Sequence, residues 1–289
     1  MRSLIIGMGF GNAVYRPVLE SLGHTVITVD PYREADFASL QDAIDKHKFF
    51  DTVNICTPNY THEQIAREIA LYARLVFVEK PGVIDSKCWQ CLVEDFPNTK
   101  IVMVKNNQYR QEIDVYQSLA EKSRNIRVTW SSNNRIPNPG SWFTTKELSF
   151  GGVSRDLMPH ALSYYTKLSD WKSGRLVSAT SNQRYKLSEI KSTDYGVVNS
   201  NGVYDVDDYC EFVFKTGSHT WTLITDWKSN SGIDEVSIDF EGKRFELGLC
   251  PEQAYEKMIT TAFKNLNNEA FWEEQYNQDI FIHSQIEKI

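Results

Sequence analysis

Ser3-Leu4-Ile5-Ile6-Gly7-Met8-Gly9-Phe10-Gly11-Asn12 decides the fold. An apolar run stops at alternating glycines, and a helix-length segment, Ala13–Ser21, follows. In that context glycines permit a tight turn and let backbone N–H groups approach a pyrophosphate at a helix N-terminus. The usual spacing puts a third glycine where Asn12 stands, whereas here Gly11 precedes it. A plain strand–helix turn is the alternative. Flanking strand and helix are what raise the stretch above a bare Gly-x-Gly.

Moving outward, four more short apolar runs alternate with helical segments. Thr25–Asp30, Thr52–Thr57, Leu75–Lys80 and Lys100–Lys105 read as strands, as does Ser3–Gly7. Leu40–His47, His62–Tyr72 and Ser86–Asp95 read as further helices. Strands that are apolar on both faces belong inside a parallel sheet covered by helices. The spacing therefore predicts an α/β fold with an N-terminal doubly wound parallel (Rossmann) sheet.

The pattern changes after residue 106. Asn107–Lys122 and Phe150–Leu168 look helical, the latter with a kink or a late start at Pro159, Arg127–Ser132 looks extended, and Asn133–Ser141 is a Pro/Gly/Asn-rich loop. Alternation in Glu211–Phe214 and Thr220–Thr225 around Thr216-Gly217-Ser218 predicts a hairpin. A C-terminal α+β domain with a mainly antiparallel open sheet is expected, ending in helix. The domain division expected is 1–106 for dinucleotide binding and 107–289 for substrate binding and oligomerisation. Two domains suit a chain of 289 residues, because single cores stop growing near about 250–300 residues.

Composition narrows the function. Thirty-one basic against thirty-eight acidic residues give a net charge of −7, with no dense Lys/Arg stripe. Nucleic acid is not an expected partner. No apolar run reaches the length of a membrane span of about 18 residues, and the N-terminal apolar run is short and broken by glycines. Cys56, Cys88, Cys91, Cys210 and Cys250 are odd in number and scattered, unlike a disulfide framework. A soluble cytoplasmic protein is the expectation. Cys88-Trp89-Gln90-Cys91 lacks the second pair of ligands that zinc requires, so no metal is expected. Two ordinary thiols on a helix fit it better than a redox pair.

Asp30 closes the second strand about 20 residues past the glycine loop, where an acidic side chain meets ribose hydroxyls. It repels a 2′-phosphate and so favours NAD over NADP, although Arg33 close by offers such a phosphate a partner.

Two stretches lie at carboxyl ends of parallel strands, where open α/β sheets bind ligands: Cys56-Thr57-Pro58-Asn59-Tyr60-Thr61-His62 and Glu79-Lys80-Pro81. Together with Gly151-Gly152-Val153-Ser154-Arg155-Asp156-Leu157-Met158-Pro159-His160, they resemble the TPNxxH, EKP and GGxxxDxxxH segments of the Gfo/Idh/MocA family of oxidoreductases. The three occur in order, and the resemblance covers nearly the whole chain.

That resemblance implies a cofactor set of Gly7, Gly9, Phe10, Gly11, Asn12, Asp30, Thr57, Pro58, Asn59, His62, Glu79 and Lys80. It implies a catalytic trio of Lys80, Asp156 and His160, and a homodimer or homotetramer formed through the C-terminal sheet. The expected reaction is hydride transfer between NAD(P) and a secondary alcohol or ketone of a sugar, sugar derivative or cyclitol. Chemistry agrees, since a base must take the hydroxyl proton as hydride leaves, and neutral histidine does so near pH 7. A lysine beside the reacting oxygen steadies developing negative charge. Asp156 and His160, four apart, would share one helix face. Asn107, Tyr109 and Trp142 are candidate substrate contacts, with packing as the alternative. His62 suits capping or packing as well as a cofactor contact. Many relatives continue as HxxD where Ser163 stands here, which alters the substrate contact. A cofactor-sensing binding protein without catalysis is the rival reading. Reduction of linear tetrapyrroles or oxidation of dihydrodiols ranks lowest, because relatives of that kind do not generally use the Lys/Asp/His set.

Overall fold

The computed structural model describes residues 1–191, 195–229, 234–248 and 252–289. Packing divides the chain into two units, Met1–Tyr109 with Cys250–Ser284, and Arg110–Leu249 with Gln285–Ile289.

The first unit carries β1 (Arg2–Ile6), α1 (Arg16–Ser21), β2 (Thr25–Val29), α2 (Leu40–His47), β3 (Phe50–Ile55), α3 (His62–Ile69), β4 (Ala73–Val78), α4 (Ser86–Asp95) and β5 (Lys100–Met103). All strand pairs are parallel, in the order β2-β1-β3-β4-β5. The order reverses at β1, and the crevice at such a switch point is where ligands bind. Helix starts follow side-chain chemistry: Ser39 accepts from the Asp42 N–H at 3.2 Å, and Asp85 from the Cys88 N–H at 2.7 Å.

The second unit holds α5 (Ile113–Ala120), β6 (Asn125–Ser131), α6 (Lys146–Ser149), α7 (Val153–Asp156), α8 (Met158–Leu168), β7 (Arg175–Asn182), β8 (Tyr209–Thr216), β9 (His219–Asp226), β10 (Glu235–Phe240) and β11 (Lys243–Glu246). Its sheet runs β11-β10-β6-β9-β8-β7, antiparallel except where β6 meets β9. The β8–β9 hairpin turns at Gly217, whose φ of +58° suits a residue without Cβ. One face of the sheet packs against α8.

Three expectations change. α9 (Glu252–Lys264) and most of α10 (Glu269–Ile286) group with the first unit, not with residues 107–248. Tyr255, Met258, Ile259, Ala262 and Trp272 complete a core with Ile5, Leu19, Leu75, Phe77 and Val102. Burying each such large apolar side chain contributes about 1.5–3 kcal/mol, so the helices go where their apolar faces find a partner. Phe150–Leu168 is not one helix, since α7 stops at Asp156 and α8 starts at Met158. Pro159 has no N–H to continue the ladder back to Arg155. Finally, Asn107–Lys122 divides into a 3-10 turn at Asn106–Tyr109 and then α5. Cys250 lies outside the described residues.

Candidate functional site

In the first unit the glycine loop is shaped by its neighbours. Gly7 has φ +94°, and a Cβ there would lie 2.5 Å from the Cys56 carbonyl oxygen. A Cβ on Gly11 would strike Ile5, so β1 can lie directly beneath the loop. Gly9, Phe10 and Asn12 are exposed. The turn opening the helix is a π-turn, Gly11–Tyr15, ahead of α1.

Asp30 holds this loop from the end of β2. Its carboxylate accepts the Met8 N–H at 2.8 Å, the Tyr32 N–H at 2.8 Å and the Arg33 N–H at 3.0 Å. Burial alone would raise its pKa, but these three donors and the Arg33 charge hold it below the usual value. A carboxylate offers about four acceptor sites, so one remains for a hydroxyl. The Arg33 guanidinium lies over Gly9, 2.5 Å from where a Cβ would be. Beside it opens a cleft of about 410 Å³ lined by Met8, Asn12, Arg16, Arg33 and Asp36. A glycine cradle, a carboxylate with one open site and a polar cleft fit a dinucleotide.

Two strand-end loops stand next to each other in this unit. His62 is wholly buried, with Nδ1 2.8 Å from the Gly82 carbonyl and Nε2 2.8 Å from the Thr57 carbonyl. It therefore clamps the loop after β3 to the loop after β4. Burial lowers its pKa despite the two carbonyls, which favour the charged ring. Thr61 donates its hydroxyl to Thr57 Oγ1 and to the Pro58 carbonyl, each at 2.7 Å, closing the Thr57-Pro58-Asn59 turn. Thr57 and Pro58 are half-buried and Asn59 is buried.

Glu79 is also buried, and its carboxylate accepts the Tyr15 hydroxyl at 2.8 Å. Burial and the Glu79 charge push the Tyr15 pKa well up, so the phenol stays a donor. Lys80 is half-buried at the carboxyl end of β4, and a cis peptide joins it to Pro81. Asn107 and Tyr109 close the unit's main segment, and Asn107 is almost fully buried.

The second unit supplies the remaining predicted residues. Asp156 ends α7 and accepts the Trp227 indole N–H at 2.9 Å. His160, in the first turn of α8, stacks on Trp130 with centroids 5.1 Å apart and planes 23° apart. Both Asp156 and His160 are half-exposed. Asp207 accepts from the Gly152 and Ser154 N–H groups at 2.8 Å each, and from Ser154 Oγ at 2.8 Å, which caps α7. Ser163 is buried and donates to the His160 carbonyl at 2.7 Å, so its hydroxyl serves the helix. Trp142 lies against Phe143, with centroids 4.5 Å apart.

Sequence reasoning missed Tyr15, Trp130, Asp207 and Trp227. A strand ending in Asp226-Trp227 was the available signal, but its partner lies 71 residues earlier. The Cys88 thiol, by contrast, behaves as an ordinary one. Burial and the adjacent Asp85 carboxylate push its pKa to about 11, so it stays protonated.

Comparison with known proteins adds to the geometry. Residues 1–106 match the model of the oxidoreductase family with an NAD-binding Rossmann fold, Gfo/Idh/MocA. A putative UDP-kanosamine synthase oxidoreductase subunit of Amycolatopsis mediterranei is 25% identical over 286 residues, 90% of this chain and 79% of that protein. Among solved structures, GenD2 from gentamicin A biosynthesis, in complex with NAD, superposes with a TM-score of 0.76 at 16% identity. It covers 99% of this chain and 92% of its own. Levoglucosan dehydrogenase with NADH and levoglucosan gives 0.71 at 16%, over 99% and 96%. These superpositions establish the fold. No helix among the described residues is long and apolar enough to cross a membrane.

Proposed function

We propose that this chain, whose residues 1–106 match the NAD-binding Rossmann model of the Gfo/Idh/MocA oxidoreductase family, is an NAD-dependent dehydrogenase acting on a secondary alcohol. Its substrate class is a pyranose sugar, a sugar derivative such as a nucleotide sugar, or a cyclitol. Similarity to a relative described as acting in UDP-kanosamine synthesis and to levoglucosan dehydrogenase supports that class.

When bound, the nicotinamide supplies the hydride acceptor. The Gly7–Gly11 loop and Asp30 hold the dinucleotide, with Thr57, Pro58 and Asn59 lining its groove. His62 keeps that groove in shape from beneath. Lys80 and His160 move the hydroxyl proton, and Asp156 orients the histidine. NAD is the preferred form, because a 2′-phosphate would face the Asp30 carboxylate. The C-terminal sheet joins copies into a dimer or tetramer, in keeping with the partly exposed residues that recur along β8 and β9.

The observation that carries this reading is Lys80, a half-buried cation at the carboxyl end of β4 beside a carboxylate already held by Tyr15. Lys80→Met should bind NADH within about twofold of the native protein while losing at least about 10²-fold in kcat, the range for positioned acid–base groups. NAD reduction at 340 nm, with levoglucosan, D-galactose, myo-inositol and UDP-glucose as probes, measures it. Undiminished turnover in that variant overturns the mechanism. Ser163, whose buried hydroxyl donates to the His160 carbonyl, is what favours a non-catalytic NAD(P) sensor instead. NADH binding by a folded sample with no turnover on any probe selects that reading.

A further inference from the structure

We infer that Trp227 is a positioning residue for the Asp156–His160 pair, held in register by a part-buried ion network behind it. This rests on the proposed catalytic role of Asp156.

The observation is a pair of dipeptides on neighbouring strands. Asp207-Asp208 leads into β8 and Asp226-Trp227 leaves β9, with Tyr209 paired to Asp226. The Trp227 N–H donates to the Asp208 carbonyl at 3.0 Å, continuing the ladder past the strand ends. Asp208 and Asp226 both accept from the Arg184 guanidinium, at 2.8 and 2.5 Å. Asp207 and Trp227 bond instead to the segment that carries Asp156.

Asp207 then sets where α7 begins, and Trp227 sets how its last side chain points. Gly152 is required at the contact, because a Cβ there would lie 1.8 Å from the Asp207 carbonyl oxygen. The Trp227 indole has almost no freedom of its own. It is 1% exposed, edge-on to Phe143 at 6.2 Å, and its carbonyl accepts the Arg135 N–H at 2.9 Å. A rigid N–H donor thus takes Asp156 Oδ2 and fixes the rotamer of that carboxylate. Across the sheet, Trp130 supports the His160 ring. Trp130 and Trp227 therefore position the two side chains of the pair separately.

Two measurements test this. Indole-¹⁵N labelling assigns the Trp227 Nε1–H cross-peak by its loss in Trp227→Phe. In Asp156→Ala, a substitution at a half-exposed position that spares the buried ring, that peak should move upfield in ¹H. An unmoved peak overturns the hydrogen bond. Kinetics with NAD and the four alcohol probes then give a double-mutant cycle. Trp227→Phe should lower kcat about tenfold, the scale of one hydrogen bond to a charged group, with KM and NADH affinity unchanged. In the Asp156→Ala background the same change should be silent.

Equal losses in both backgrounds would show that Trp227 acts by general packing, and would overturn its positioning role. A shifted cross-peak together with unimpaired turnover in Asp156→Ala would instead overturn the catalytic reading of Asp156, and the positioning role with it.

Discussion

Lys105 and Asp279 meet inside the first unit with 1% and 0% of their side chains exposed, while Arg184 in the second unit keeps 25% of its side chain in solvent. Lys105 forms its ion pair with one carboxylate, and Asp279 also accepts the Met103 N–H at 3.0 Å at the end of β5. Arg184 has two carboxylates, Asp208 and Asp226, and lies over the Tyr185 and Tyr209 rings as well. Burial lowers the Lys105 pKa and raises that of Asp279 to about 6, so this pair is drawn toward its neutral forms. Burial acts on Arg184 too, yet its two carboxylates raise its pKa further and the guanidinium stays charged. The first anchor is a dry one-to-one pair that ties α10 to the sheet. The second is a fork that sets the register of three backbone segments. Each design depends on a different property: desolvated charge in one, geometry in the other.

Removing one partner separates them most clearly. Asp279→Ala leaves the Lys105 ammonium buried alone and should cost about 3–5 kcal/mol in chemical unfolding. Lys105→Met with Asp279→Leu, an apolar pair of similar volume, should recover most of that loss. A comparable loss in both would mean that the ion pair itself, not desolvated charge, is what matters there.

Arg184→Lys tests the second design. Charge is kept, but an ammonium cannot reproduce the planar fork that reaches both carboxylates. The expected loss is about 2 kcal/mol, because the site is partly open to water and a hydrogen bond to a charged group contributes about 1.5–3 kcal/mol. By the positioning role of Trp227, kcat should fall as well, which Asp279 variants should not cause. Equal effects on kcat from both anchors would erase the distinction.

The smallest effect concerns pH. The folded His62 pKa lies below its unfolded value of 6.5. Below about pH 6.5 the unfolded chain binds the proton more readily, so stability is lost as pH drops through that window and is flat above it. His24 and His47 are lowered as well and add to the slope. His62→Gln removes one of the three contributions and should make the loss on acidification shallower. Unfolding at about pH 7.5 and about pH 5.5 measures the difference. An unchanged slope would assign the acid sensitivity to the other two histidines.

The two units also differ in how much of them was legible. α2 and α4 occur over the expected residues, Leu40–His47 and Ser86–Asp95, and the five parallel strands lie within two residues of theirs. Caps, apolar runs and glycine turns are local, so sequence spacing alone reports them. Asp30, at the end of β2, could be picked out for the same reason. The Asp156–His160 segment was recognisable as a motif but not as a structure. Its spacing suggested one helix, with Pro159 pointing to a kink or a late start, and α8 does start afresh at Met158.

What the sequence determined by itself is therefore the α/β order, the parallel sheet, and the loops Gly7–Gly11, Thr57–His62 and Glu79–Lys80 at its strand ends. Each depends on residues within a few positions of one another. Only the tertiary structure decided that α9 and α10 complete the first core, that Lys105 pairs with Asp279 across 174 residues, and that Trp227 holds Asp156 across 71. Those partners are chosen by strand register and by the cost of leaving a buried polar group unpaired. Neither exists until the chain has folded.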